Sequence, residues 1–216
     1  MARSINKTNM EMRTQQGKEH QIIQPNILYF GTPVALITTL NPDGSPNIGP
    51  MSSVWALGYT VVMGWSVKAQ TLTNLEKEQE CVINLPGPEL LDKVEALAPL
   101  TGRKPPARPE AYRYEPNKFK AAGLTPVSSH FVRPPRIAEC PIQLEARVTA
   151  IHEPVSNDKS TFRIIETHVE RVHAIPEIIK PGTNHIDPAH WSPLLYVFRH
   201  YFGTGQELGR TFKAEY

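Results

Sequence analysis

Ile142, Leu144, Ala146, Val148 and Ala150 alternate with Gln143, Glu145, Arg147 and Thr149. A period of two sends successive side chains to opposite faces, so this run predicts a strand with one buried face. Residues 33–40, PVALITTL, are rich in β-branched side chains and lead into Asn41-Pro-Asp-Gly44, which predicts a strand entering a tight turn. Residues 45–56 are expected to return as its hairpin partner, and residues 59–66 to form a third strand after a turn at Gly58. A short strand is expected at 81–85, stopped by Pro86-Gly-Pro88, and further strands at 163–174 and 194–200. Two stretches break the strand period. In residues 71–80, Thr73-Asn-Leu-Glu76 has the spacing of a capping box, and in residues 89–97, Leu90, Leu91 and Val94 share one helical side. Six or seven antiparallel strands with a few short helices predict a mainly β chain, a small Greek-key-like barrel, closed or split, with helical insertions. Residues 99–116 yield no regular element. The chain holds 21 prolines, about twice the usual share, concentrated in such connections.

The 216 residues suffice for one domain with a substantial core. Residues 1–25, rich in Gln, Lys, Glu and Asn, read as a polar extension, and residues 26–216 as the single domain. Lys and Arg number 23 against 21 Asp and Glu, a net charge of +2, so the dense basic face of a nucleic-acid binder is missing. Cys81 and Cys140 form no CxxC pair and the first 20 residues are polar, which predicts free thiols in a cytoplasmic protein. The charge-free window 44–67 is too polar in its first half, and too short in its apolar remainder, to cross a membrane. Such a stretch lines either a core or a ligand.

Two runs carry candidate binding chemistry. Residues 65–74, WSVKAQTLTN, pass from a strand end into a helix start, where unpaired amides and the positive end of the helix dipole favour an anion. Trp65, Ser66, Lys68, Thr71 and Asn74 supply an aromatic ring, hydroxyls, an ammonium and an amide there, although an ordinary helix start with an exposed lysine has the same sequence. Residues 47–55, NIGPMSSVW, place small residues and hydroxyls on an uncharged strand, where a planar ligand could approach the backbone; a bulged strand with solvated serines is the plainer alternative. His185, Asp187 and His190 form the one cluster with metal-ligand chemistry, and a surface turn with a helix start at Asp187-Pro188 is preferred to a metal site. His168 and His173, five apart on one strand, are expected on opposite faces. Gly203-Thr-Gly205 and Gly209 lack the spacing of a dinucleotide fingerprint.

Four runs in order, ALITTLNPDGSPNIGPMSSVWALG, WSVKAQTLTNLEKEQECVINLP, AAGLTPVSSHFVRPPRIAECPIQLEARV and PLLYVFRHYFGTG, resemble the flavin reductase-like, flavoredoxin-like proteins of the FMN-binding split-barrel superfamily. The resemblance implies a homodimer with one FMN per subunit near the dimer interface. It places Pro50, Met51, Ser52 and Ser53 along the isoalloxazine, and Ser66, Lys68, Thr71 and Asn74 at the phosphate end. Relatives often carry Lys-Asp-Thr where this chain has Ala69-Gln70-Thr71, with Lys68 one place early. By position in the family pattern His168 neighbours the flavin or nicotinamide as a proton source, and Tyr201 lies on a terminal strand near the flavin. The implied activity is NADH- or NADPH-dependent flavin reduction by hydride transfer to FMN, with electrons passing to free flavin, oxygen or a partner monooxygenase. Two alternatives stay open: an FMN-binding electron carrier without NAD(P)H oxidation, and, more distantly, a metal-dependent hydrolase built on His185, Asp187 and His190.

Overall fold

The computed structural model describes residues 20–155 and 161–211. Seven strands form one antiparallel sheet: β2 (Ala35–Leu40), β3 (Pro46–Met51), β4 (Val54–Leu57), β5 (Thr60–Ser66), β6 (Glu80–Leu85), β11 (Ile142–His152) and β12 (Phe162–Ala174). Their order is β3-β2-β6-β11-β12-β5-β4. β3 and β4 are therefore the two edges of the sheet, although only Ser52 and Ser53 separate them in sequence. Three Cα steps span at most about 11 Å, so the edges must meet and the sheet must curl on itself. The result is the split antiparallel barrel expected from the alternating runs.

Small elements decorate the barrel. Helix α1 (Gln70–Glu78) follows β5, and α2 (Leu91–Leu97) and α3 (Lys118–Ala122) flank the proline-rich connection, which carries the short parallel pair β7 (Leu100–Thr101) and β8 (Arg113–Tyr114). β9 (Pro126–Val127) pairs with β10 (Arg136–Ile137). β1 (Phe30–Pro33), β13 (Leu195–Val197) and β14 (His200–Phe202) make a separate three-stranded sheet.

Alternation divides the core into two layers. Ile37, Ile83, Ala146, Met63 and Ile165 point inward, where Leu72 and Leu75 of α1 join them. Leu36 and Ile48 point the other way and pack with Val94, Leu97, Phe119 and Ile137 beneath the flanking helices. Each such side chain contributes about 1.5–3 kcal/mol on full burial, so the two layers tie the helices to the barrel.

Four local expectations need correction. Residues 45–56 are not one hairpin partner, because the chain turns at Ser52-Ser53 and begins the opposite edge. The capping box at Thr73 does not form: α1 begins three residues earlier, with Ala69 at its N-cap and no side-chain cap. Residues 194–200 are not one strand, since Phe198 and Arg199 adopt left-handed φ of 43° and 71° and reverse the chain between β13 and β14. His168 and His173 do not face opposite ways. Glu145 pairs with Arg171 but Ala146 with Val169, so Glu170 is a bulge that resets the alternation. His168 then pairs with Arg147 and His173 with Gln143, two positions on one face of β11.

Candidate functional site

A cavity of about 430 Å³ lies at the seam where the two sheet edges meet. Its walls come from the end of β3 (Gly49, Pro50, Met51), the Ser52-Ser53 link and the end of β5, including Trp65 and Ser66. The turn into α1 adds Lys68 to Thr71, and the proline-rich connection closes the far side with Leu100, Gly102, Arg108 and Tyr112. Gly49 has a steric reason to be glycine: a Cβ there would collide with Thr71 Oγ1 and the Trp65 ring. The Ser53 carbonyl accepts from Gly64 N–H at 2.8 Å, and the Ser53 hydroxyl lies 2.7 Å from Tyr29 Oη, which fixes the link against both neighbours.

Positive charge gathers around this hollow. Lys118, the first residue of α3, is buried at 4% exposure and donates from Nζ to the Ile48 carbonyl at 2.7 Å. Among the described residues it forms no ion pair, and burial pushes its pKa down to about 8. Arg108 Nε lies 3.1 Å from Glu110 Oε1 at the rim. Glu110's own backbone amide, then Arg108 and more weakly Lys68, hold that carboxyl below its ordinary range, so both rim cations surround one carboxylate. The start of α1, which has no side-chain cap, adds amide donors and the positive end of its dipole at the turn that lines the cavity.

A buried amide network lies under the turn. Asn47 Nδ2 donates to Thr71 Oγ1 at 3.1 Å, and Asn74 Nδ2 donates to Thr39 Oγ1 at 2.9 Å and Asn41 Oδ1 at 3.1 Å. Gln70 Nε2 donates to Asn74 Oδ1 at 2.8 Å. The network locks α1 to the β2–β3 hairpin, whose turn places Gly44 at a φ of 81°. Two buried atoms beside the cavity, Trp65 Nε1 and Asn47 Oδ1, have no hydrogen-bond partner among the described residues.

Of the residues singled out from the sequence, Pro50, Met51, Ser52, Ser53, Trp65, Ser66, Lys68 and Thr71 line this one cavity. Three do not. Asn74 is spent on the network beneath, because its helical position points it at Thr39 and Asn41. Tyr201 donates to Glu95 Oε1 at 2.6 Å and packs 5.3 Å from Tyr196; burial and then Glu95 push its pKa up. His168 is exposed on the outer face of β12, with its ring 6.4 Å from that of Tyr59.

Arg108 and Lys118 line the cavity without having been assigned to it, and Gly49 lines it from within the candidate run 47–55. Asn117, whose side chain accepts from Lys120 N–H at 3.1 Å, marked the start of α3, but the burial of its first lysine had no sequence signal. His190 Nδ1 sits 2.9 Å from Asp187 Oδ2 in a turn, and no metal-binding group is found among the described residues. Cys81 and Cys140 are buried free thiols; desolvation and, secondarily, nearby Glu80 push Cys81 up to about 12.

The model of the flavin reductase like domain matches residues 27–205. The chain belongs to the flavin reductase-like family. The uncharacterized protein YdfE of Bacillus subtilis is 47% identical over 209 residues, covering 95% of this chain and all of that one. Among solved structures, flavoredoxin from Methanosarcina acetivorans superposes with a TM-score of 0.73 at 18% identity, covering 90% of this chain and 96% of that one. Nitrilotriacetate monooxygenase component B from Bacillus cereus gives 0.71 at 18% identity, over 96% and 95%. At that identity the likeness speaks for the fold, and family membership supports a flavin-related oxidoreductase. No helix of the described residues is long and apolar enough to cross a membrane.

Proposed function

We propose that this flavin reductase-like protein binds FMN in the seam cavity and reduces flavin with NADH or NADPH. The observation that carries the reading is the pairing of Lys118, a buried cation with no ion-pair partner among the described residues, with a helix start that has no side-chain cap on the same cavity. A monoanionic or dianionic phosphate compensates both. The donor set fits the rest of the ligand. Ser52, Ser53, Ser66 and Thr71 offer hydroxyls, Pro50, Met51 and Trp65 offer apolar walls, and the buried Trp65 Nε1 lacks a partner among the described residues.

In this reading Lys118, Lys68 and the first amides of α1 bind the phosphate, while Pro50 to Ser53 orient the ring system. Arg108 and Tyr112 shield the cavity from bulk water on the proline-rich side. A flavin held there would supply the redox chemistry itself, as hydride acceptor and electron donor. The protein's task is to bind, orient and exclude water. A homodimer in the cytoplasm, delivering reduced flavin to an acceptor such as a partner monooxygenase, completes the proposal.

FMN titration of purified protein, followed by desalting and an absorption spectrum, tests the site. Retained flavin absorbance that anaerobic NADH or NADPH bleaches is the expected result. Retained flavin that neither nicotinamide bleaches would leave an electron carrier in place of a reductase, and no retention would remove the site.

A further inference from the structure

The proline-rich connection on the far side of the seam cavity carries more positive charge than one phosphate requires. Residues 99–118 hold five Lys and Arg against two Glu, whereas the whole chain has a net charge of +2, so the rest of the chain is slightly acidic. Both carboxylates are engaged locally: Glu110 meets Arg108 at 3.1 Å, and Glu115 accepts from Asn117 N–H at 2.9 Å. Arg103, Lys104 and Arg113 form no ion pair among the described residues. Lys118, Lys68 and the first amides of α1 suffice for the FMN phosphate, which leaves these three cations for another anion.

The connection is also built to keep its shape. Five prolines restrict the backbone between residues 99 and 116, and its ends are pinned where Leu100 pairs with Arg113 and Thr101 with Tyr114. The Thr101 hydroxyl accepts from Arg103 N–H at 3.1 Å, and the Arg108 carbonyl accepts from Tyr112 N–H at 2.9 Å. A segment held in this way loses little entropy when a ligand settles on it. Aromatic rings stand among its cations. Tyr112 lines the cavity and is 41% exposed, and Lys104 Nζ lies over the Tyr114 ring at 5.3 Å from its centre. An exposed cation–π contact is weaker than a charge-assisted hydrogen bond, so a phosphate can draw Lys104 from that ring. A half-exposed ring beside unpaired cations suits an adenine that stacks with a phosphate close to it.

We propose that residues 101–114 bind the adenosine end of NADPH, with Arg103 and Lys104 holding its 2′-phosphate and Tyr112 stacking on the adenine, so that NADPH is preferred to NADH. The proposed function is needed only for the nicotinamide end. Charge decides between the two nucleotides. The pyrophosphate that both share carries one negative charge on each phosphorus, whereas the 2′-phosphate of NADPH adds a phosphomonoester of about −1.5 to −2 at neutral pH. A guanidinium and an ammonium on adjacent residues, both without a carboxylate partner, match that group and have no counterpart on NADH.

The test is calorimetric titration of the full chain, without added flavin, with adenosine 2′,5′-bisphosphate and with adenosine 5′-monophosphate, repeated on Arg103→Ala with Lys104→Ala. The bisphosphate should bind at least about tenfold more tightly, the worth of one charge-assisted hydrogen bond, and the double variant should bring the two within about twofold. With FMN added, kcat/KM should favour NADPH over NADH by a similar factor, carried by KM. If the double variant does not fold, Lys104→Ala carries the test, since that side chain is exposed, and should lower the discrimination by about threefold. Equal affinities, which an adenine pocket serving FAD would give, overturn the proposal. So do a chain that binds neither nucleotide and a discrimination that survives both substitutions. A chain that discriminates between the nucleotides but retains no FMN sinks the flavin reading alone, and one that retains FMN and oxidises NADH and NADPH with equal kcat/KM sinks this one alone.

Discussion

Two buried charges in this protein are treated in opposite ways. Glu145, fully buried on β11, accepts from the backbone N–H groups of His130, Phe131 and Val132 and lies 2.6 Å from His173 Nε2. Burial pushes its pKa up, but those donors outweigh it and hold the carboxyl below its ordinary 4.5. Beside it, Glu80 meets Arg133 at 2.9 Å and Arg147 at 2.7 Å. Lys118, nearly as buried, has one carbonyl. A charge whose bonding capacity is met within the fold serves the architecture, clipping the segment around residues 130–133 onto the sheet. A charge left with unused donors at a cavity wall is ready for a ligand.

Removing the architectural charge should have the largest effect on folding. Glu145→Ala leaves three backbone N–H groups and an imidazole without their buried acceptor and is expected to cost about 3–5 kcal/mol, read from urea denaturation. Lys118→Met should reverse the pattern, weakening FMN binding by about 10- to 100-fold, the worth of a hydrogen bond to a charged group, without loss of stability in denaturant. Asn74→Ala lies between these cases. It should lower stability by about 1–2 kcal/mol by opening the amide network, and weaken FMN binding only through Thr71 and the α1 start.

Titration separates the same two regions by sign. The folded pKa of Lys118 lies below its unfolded value of 10.5, so between about pH 8 and 10.5 the unfolded chain holds a proton that the folded one has released. Stability from this group therefore rises with pH across that window, while affinity for an anionic ligand falls above about pH 8. His173 is also lowered, by burial only partly offset by Glu145, from 6.5. With Glu145 itself below 4.5, the clip loses stability as pH falls, first below about 6.5 and then through the folded pKa of the carboxylate. Hydrogen exchange at residues 130–133, followed from pH 7 to 4, and FMN titrations from pH 7 to 10 measure the two trends. The smallest effect should come from His168→Ala, with FMN binding changed by no more than about twofold, since an exposed residue off the cavity costs about 0.5 kcal/mol at most.

Much of the barrel was legible because period-two patterns act locally: β11 and β2 appear where alternation and β-branched runs put them. Half-readable features mark where a local rule had a tertiary competitor. Thr73 and Glu76 have the capping-box spacing, yet α1 starts earlier because Leu72 and Leu75 must reach the inner core layer. The alternation of Tyr196 to Phe202 fits one strand as well as a two-residue hairpin, and Phe-Arg is not a sequence that announces left-handed backbone. The Glu170 bulge has no composition of its own and is visible only in the register with β11.

By itself the sequence determined the fold class, the family and eight of the side chains that line the seam cavity, because residues 49–53 and 65–71 lie on contiguous runs whose chemistry is local. Only the tertiary structure decided that these runs meet at the two edges of one curled sheet, that Lys118 crosses from a helix remote in sequence to the Ile48 carbonyl, that Asn74 and Tyr201 bond to groups outside the cavity, and that His168 lies exposed on the outer face of β12. The physical reason is that an amide, a phenol or an ammonium carries the same chemistry wherever it lies in the chain. Burial and partner count assign its role, and both belong to contacts between residues far apart in sequence.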